Sequence, residues 1–519
     1  MFRKLLCALL LLCVEIAPAQ IQSTYEWLRI PTVNVDINAS YIDYITALDP
    51  DGNVYLSGYK ENGFVYGVDA FGDVFLNKYT SDGELLSSTN IHGEAAIFDL
   101  KVDHSGNLYM FLGYLDEMQI GNASFDNATD LIRYVLVKLD SNANLLWTYF
   151  PNTPDTSMQE GMSMIIAPNN ELYLGYGNYM NTYITRLSSD GVELSTIVQT
   201  GVNMLTSLDL DAEGNLYATG SCAQLNANYN GVSVPTDLQY TIYLVKYSPT
   251  GVFQWVKYRE DVTCPLPKLS VHSPEHIYWS SFLWDDSPFD DLAIEGPLNG
   301  GTDVFIARLN ADGDFLWIRE LPGAGSLEQG GQNFLKADGE GNVCFAGNFR
   351  GNINWGNNTT VSEGFSNDAI FLMYNPEGEL LLATTATSSN DERFDSVVPD
   401  NNGNYYLSGM GYQHIQMGDL HHDAGATNYF PFLTKISTQG LSINQPELQS
   451  ITVYPNPTEN YLFVDGVTEN TRATLFNLLG QKVKDVIIIP SEPLNITDLP
   501  SGIYLLKTEK HTPVKFVKK

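Results

Sequence analysis

Residues 302–317 read TDVFIARLNADGDFLW, and this stretch decides the fold. An apolar run ends on Arg308-Leu309, a short polar turn carries Asp312-Gly313, and a second apolar run follows at Phe315-Leu316-Trp317. Apolar runs bounded by such turns are strands. A glycine closing a short Asp/Asn turn supplies the positive φ that antiparallel strands need. The stretch is therefore a hairpin. Its pattern recurs around Lys78, Lys138, Arg186, Lys246, Met373 and Lys435.

A second hairpin alternates with the first. Its mark is a D-x-x-G-N turn followed by an aromatic, as at Gly52-Asn53-Val54-Tyr55, Gly106-Asn107-Leu108-Tyr109 and Gly214-Asn215-Leu216-Tyr217. It recurs at Gly341-Asn342-Val343-Cys344 and Gly403-Asn404-Tyr405-Tyr406, and more weakly at Asn170-Glu171-Leu172-Tyr173 and Glu275-His276-Ile277-Tyr278. No stretch between Gln20 and Ser450 shows a capped 3.6-residue apolar period. Two hairpins make a four-stranded sheet. Seven such sheets, roughly sixty residues apart, predict a seven-bladed β-propeller. The third unit is the shortest and is expected to have the tightest loops.

The ring must close. Leu145-Leu146-Trp147, Phe253-Gln254-Trp255 and Phe315-Leu316-Trp317 mark outer strands, and the same signature stands ahead of the first unit at Tyr25-Glu26-Trp27. The seventh unit lacks a good last strand. Residues 25–30 are therefore predicted to complete the last blade and remove an open edge.

The repeat resembles the bacterial seven-bladed propeller repeat family, with its D-x-[FI]-[LIV]-x-[KR]-[LY] strand and D-G turn. Asp303, Asp73 and Asp368 occupy the family's Asp position, and units three and seven, which lack it, depart most from the pattern. The resemblance spans Tyr41 to Ile443. After it the chain runs ITVYPNPTENYLFVDG, ATLFNLLGQKV and LPSGIYLLKTEKHTPVKFVKK. This tail resembles the type A C-terminal sorting domain of the type IX secretion system. Tyr454, Pro455, Asn456, Pro457, Gly480, Gly502, Tyr504, Lys515, Lys518 and Lys519 carry the likeness. The resemblance implies a small Ig-like β-sandwich that the type IX translocon and sorting machinery recognise. It also implies delivery across the outer membrane, to the cell surface or the medium.

The N-terminus fits export. Arg3 and Lys4 precede the apolar run Leu5–Val14, and Ala17-Pro18-Ala19 ends it, which predicts a signal peptide over 1–19. That run is too short for a ~30 Å hydrocarbon core, and no later segment reaches spanning length. The expected domains are thus 1–19, a propeller over 20–445 and a sorting domain over 446–519. The net charge is −34, and all the excess lies in the propeller, which excludes nucleic acid as a partner. Cys222 and Cys264 would pair if their loops met. Cys344 lies in an apolar strand and reads as a buried thiol.

Candidate sites are sparse. Aromatics expected on loops, namely Tyr176, Tyr179, Tyr229, Trp279, Trp284 and Trp355, would form a platform for a sugar or peptide, with Asp285, Asp286, Asp290 and Asp291 beside Trp284. Alternating oxygens at Asp49, Asp51 and Asn53, at Asp209, Asp211 and Glu213, and at Asn310, Asp312 and Asp314 have calcium-ligand spacing. Asp and Asn also build such turns without an ion. His414, His421, His422 and Asp423 offer zinc ligands on a long loop of the seventh unit, and surface residues read the same way. No cofactor other than calcium is implied. The chain holds no G-x-S-x-G, H-E-x-x-H or P-loop. The expectation is an exported binding or scaffold protein for a glycan, polymer or surface protein. The alternative is a secreted hydrolase or lyase working at the channel mouth.

Overall fold

The computed structural model describes residues 21–519 except 39, 41, 68, 130, 153–162, 179, 239, 261–264, 284–285, 287, 297–302, 321–324, 355–358, 362–365, 389–390, 426–427, 440–450, 469, 478–481 and 509–512; for 354, 359–361 and 439 it describes the backbone alone. The chain divides into two compact units, Met1–Gly440 and Leu441–Lys519. Both are built of antiparallel strands, and no α-helix occurs among the described residues. The proposed signal segment lies outside them.

The first unit is a seven-bladed β-propeller. Blade 5 shows the plan: Lys268–Ser273, His276–Leu283, Asp303–Leu309 and Phe315–Arg319 pair in that order from the inside out. The inner strands of the other blades are Tyr44–Leu48, the end of Leu85–Val102, Ser163–Ile166, Ser207–Leu210, Leu335–Ala337 and Arg393–Pro399. Each inner strand contacts the next, and the last contacts the first, so the ring is closed. Leu85–Val102 is continuous, serving as outer strand of blade 1 and inner strand of blade 2.

Gln22–Arg29 forms the outer strand of blade 7, pairing antiparallel with Tyr429–Gln439 from Gln22↔Gln439 to Arg29↔Leu433. The tryptophan signature has a specific job. Trp27, Trp147, Trp255 and Trp317 each donate the indole N–H to a turn carbonyl of the following blade, at Ser81, Ser189, Ala311 and Pro376. Lys138, Lys246 and Arg308 donate to the last three of these carbonyls as well.

The repeated Lys/Arg also lies over the repeated tyrosine. Lys78 is 5.0 Å from the Tyr55 ring centroid, and Lys138 is 4.9 Å from that of Tyr109. These are directly cross-strand pairs. In blade 6 both partners change together, to Cys344 opposite Met373, and both are buried. The cation is absent where its aromatic partner is absent.

Between blades, inner-strand side chains catch backbone amides that no ladder satisfies. Asp99 accepts from Met164 N at 2.9 Å, Asp209 from Val271 N at 2.9 Å and Asp395 from Tyr44 N at 3.2 Å. Ser163 and Ser270 do the same for Leu208 and Ala337.

In the second unit, a three-stranded and a four-stranded sheet share one core that includes Leu462, Leu475, Leu506 and Phe516.

Candidate functional site

The topology gives the propeller two unlike ends. Inner-to-second and third-to-outer connections are short turns at one end. The other end carries the inter-blade connections and the second-to-third loops. Several of those loops bear extra strands, such as Ala123–Asp126, the pair Ala223–Tyr229 and Val232–Ser233, and the pair His414–Met417 and Leu420–Asp423. Blade 3 has the shortest such loop, from Gly177 to Asn181.

A cavity of about 400 Å³ opens at the loop-bearing end, between blades 5, 6, 7 and the start of blade 1. Lys268 and Arg393 open the inner strands of blades 5 and 7, while Asp43 and Gln332 precede those of blades 1 and 6. Gly330-Gly331 lets the wall pass close. A Cβ on Gly331 would lie 2.6 Å from the Asp43 carboxyl carbon.

Lys268, Glu392 and Asp395 are buried here, and Arg393 is half-buried. Lys268 donates to Thr206 O and Gln332 Oε1, both at 2.7 Å. Burial lowers its ammonium to about 8, against the attraction of Asp99 and Asp43. Arg393 donates to Asp395 at 2.6 Å and to the Ile42 carbonyl. Burial lifts the Asp395 carboxyl, and Arg393 opposes the lift. Glu392 is 1 % exposed. Burial pushes its carboxyl up to about 9, partly offset by the Ser388 hydroxyl and reinforced by Asp368 and Asp391. Among the described residues its Oε2 has no hydrogen-bond partner, and neither do Asn348 Oδ1 and Gln329 Oε1. All three residues line the cavity. A concave polar site with displaced titrations is a place to look for ligand or chemistry.

These residues escaped the sequence reading. The usable signal was charge inside inner-strand patterns, at Lys268 in LPKLSV and in the run Asp391-Glu392-Arg393-Phe394-Asp395.

The residues singled out from sequence lie elsewhere. Tyr176, Tyr229 and Trp279 were expected on loops; they are on strands and buried. Tyr176 bonds Thr185 at 2.9 Å, and Trp279 bonds Thr219 at 2.8 Å while packing edge-on to Phe305. Tyr229 packs among Tyr243, Phe253 and Tyr258. Alternation on short strands placed these rings inward, so they form no exposed platform. Tyr179, Trp284, Asp285 and Trp355 lie outside the described residues. Asp290 bonds Arg259 at 3.3 Å.

In each acidic turn, leading side chains are already engaged within the fold. Asp49 accepts from Asp51 N at 3.0 Å and Asn53 N at 2.8 Å, and Lys78 lies 2.9 Å away. Asp211 receives Glu213 N and Asn215 N, while Asp209 serves the inter-blade bond. Asn310 accepts from Asp312 N and Asp314 N. Among the described residues no three His, Cys, Asp or Glu side chains converge as for a metal. The histidines sit on a hairpin rather than an irregular loop. His422 pairs with buried Ile415 and packs on Phe430, while His421 pairs with Gln416 on the other face. Cys222 is disulfide-bonded, and Cys264 lies outside the described residues. Cys344 is a free, buried thiol.

In the tail, the sorting motif is tied to the basic C-terminal strand. Asn456 Oδ1 accepts from Val517 N at 2.9 Å, and its Nδ2 donates to Lys515 O at 3.1 Å. Tyr504 bonds Pro500 O at 2.8 Å, and Gly502 pairs with Lys518. Gly480 lies outside the described residues.

Residues 452–519 match the family described as "Secretion system C-terminal sorting domain". The tail is a type IX sorting domain, and it directs the protein to the outer-membrane cell surface or the medium. No curated protein matches the sequence. Among solved structures, the chain is similar to the Dos1 propeller, at 9% identity over 80% of this chain and 95% of that one, with a TM-score of 0.39. It is also similar to a protein of unknown function from Dyadobacter fermentans, at 9% identity over 80% and 99%, with a TM-score of 0.37. Likeness at this level adds nothing about function, and the blade count rests on the ladders above. No helix among the described residues is long and apolar enough to cross a membrane.

Proposed function

We propose that this chain, carried out by its sorting domain after loss of residues 1–19, is a binding module that works through the loop-bearing end of its propeller. Its ligand is a glycan, a polymer or another surface protein. One observation carries the reading: the cavity at that end gathers Lys268 from blade 5 with Glu392 and Arg393 from blade 7, and holds buried oxygens that have no hydrogen-bond partner among the described residues. The acidic body keeps an exported protein soluble.

A second reading, a secreted hydrolase or lyase at the same mouth, has Glu392 in its favour. A carboxyl kept protonated at neutral pH is what a general acid needs. Incubating the mature protein with polysaccharides and peptides separates the two. Saturable binding without turnover supports the module, and turnover lost in Glu392→Gln supports the enzyme.

A further inference from the structure

We infer that the cavity takes the hydroxyl-bearing end of a neutral glycan, with Gln329, Asn348 and Glu392 as its polar contacts. This rests on the reading of the cavity as the ligand site, and it narrows the ligand. Asn348 is 7 % exposed and Glu392 1 %, so water does not easily serve them, and an unmet buried polar atom is costly. The neighbouring cations are engaged: Lys268 with Thr206 and Gln332, Arg393 with Asp395 and Ile42. The unmet capacity therefore sits on Gln329 Oε1, Asn348 Oδ1 and Glu392 Oε2.

The three oxygens differ in kind. Two are amide carbonyls, which only accept. The third belongs to a carboxyl that burial keeps protonated at neutral pH, so it offers an O–H. An ammonium only donates and a carboxylate or sulfate only accepts, whereas a hydroxyl does both. Neighbouring hydroxyls on a sugar ring meet all three. Asp43 and Asp391 in the wall repel an anionic sugar. At the rim, Tyr429 is 39% exposed, and its ring centroid lies 4.4 Å from that of Tyr412. That pair offers an apolar face to a sugar's C–H side. The cavity volume, about 400 Å³, is at the low end for ligand sites, which suits a chain end.

The test is calorimetric titration of the mature full-length chain with neutral oligosaccharides, a uronic-acid oligomer and an amino-sugar oligomer. A neutral oligosaccharide should bind, and Asn348→Leu and Gln329→Leu should each weaken it about tenfold or more, as one lost pair of hydrogen bonds to a buried site would. Glu392→Gln should keep binding, since its amide still donates, and Glu392→Leu should lose it. Cooperative melting of each variant controls for folding. Binding of only a charged oligomer, weakened by Asn348→Leu, overturns the neutral glycan and leaves the cavity as the site. Neutral binding untouched by all the variants overturns the cavity itself. Binding of none of the oligomers overturns the inference.

Discussion

Trp27 donates its indole N–H to the carbonyl of Ser81 at 3.1 Å, joining the first described strand to the first blade across the ring's seam. Arg29 adds a bond to Gly83 O at 2.6 Å. The same latch repeats at Trp147, Trp255 and Trp317, but only at Trp27 does it join the two ends of the propeller. Trp27 is buried and packs on Tyr406. Trp27→Ala should cost about 3–5 kcal/mol, the range for truncating a buried aromatic, read from the midpoint of chemical unfolding. Leu316→Ala, on an exposed outer-strand side chain, should cost far less.

The turn glycines carry two demands that can be separated. Gly378 has φ +78°, and a Cβ there would lie 2.8 Å from the Trp317 ring and 2.7 Å from Arg319. Gly106 has φ +80°, and a Cβ there would meet nothing within 4 Å among the described residues. Gly106→Ala should cost about 1–2 kcal/mol for the left-handed backbone alone. Gly378→Ala should cost about 1–3 kcal/mol more, because the added methyl also parts two blades. Equal losses in denaturant melts would show that the ring contact is worth nothing.

Much of this was legible in residues 302–317. The Asp-Gly turn, the Arg308 position and Trp317 fixed a hairpin, and its recurrence fixed seven blades. The period also exposed Met373 as the missing cation. Its pairing with Cys344 was not legible, since it needs the cross-strand register. Tyr229 and Trp279 were read as loop rings because residue type does not tell a rim aromatic from a core one. The cavity was least legible. Lys268, Asn348 and Glu392 lie in three blades, far apart in sequence, and only closure brings them together.

Glu392 gives the stability a pH signature. Its carboxyl is raised from 4.5 to about 9 in the fold, so its favourable contribution is complete below the unfolded value and is lost as pH rises through the folded one. The melting temperature should therefore fall between about pH 5 and 9, and Glu392→Gln should flatten that fall. Parallel profiles for the two proteins would exclude Glu392 as the cause.

Asp103 is the hub of its turn, accepting from Ser105 N and Asn107 N at 2.9 Å each. Burial works against its charge, but the Asn107 and Ser105 hydrogen bonds hold the carboxyl below the usual range. Asp103→Ala should cost about 1–3 kcal/mol by stranding buried donors, and calcium should not substitute. Titrating the chelated protein with calcium should give no saturable heat from these turns. A saturable signal lost in Asp49→Ala would reverse that reading.

Closure of the ring by Gln22–Arg29 holds the cavity wall as well as the seam, since Asp43 and Arg393 face each other across it. The direct measurement is amide hydrogen exchange and melting of the mature chain beside a variant lacking residues 20–32. Melting should fall sharply, and the amides of Leu433–Ile436 that face the lost strand should exchange as an open edge does. Unchanged melting and full protection along that strand would contradict a ring fastened in this way.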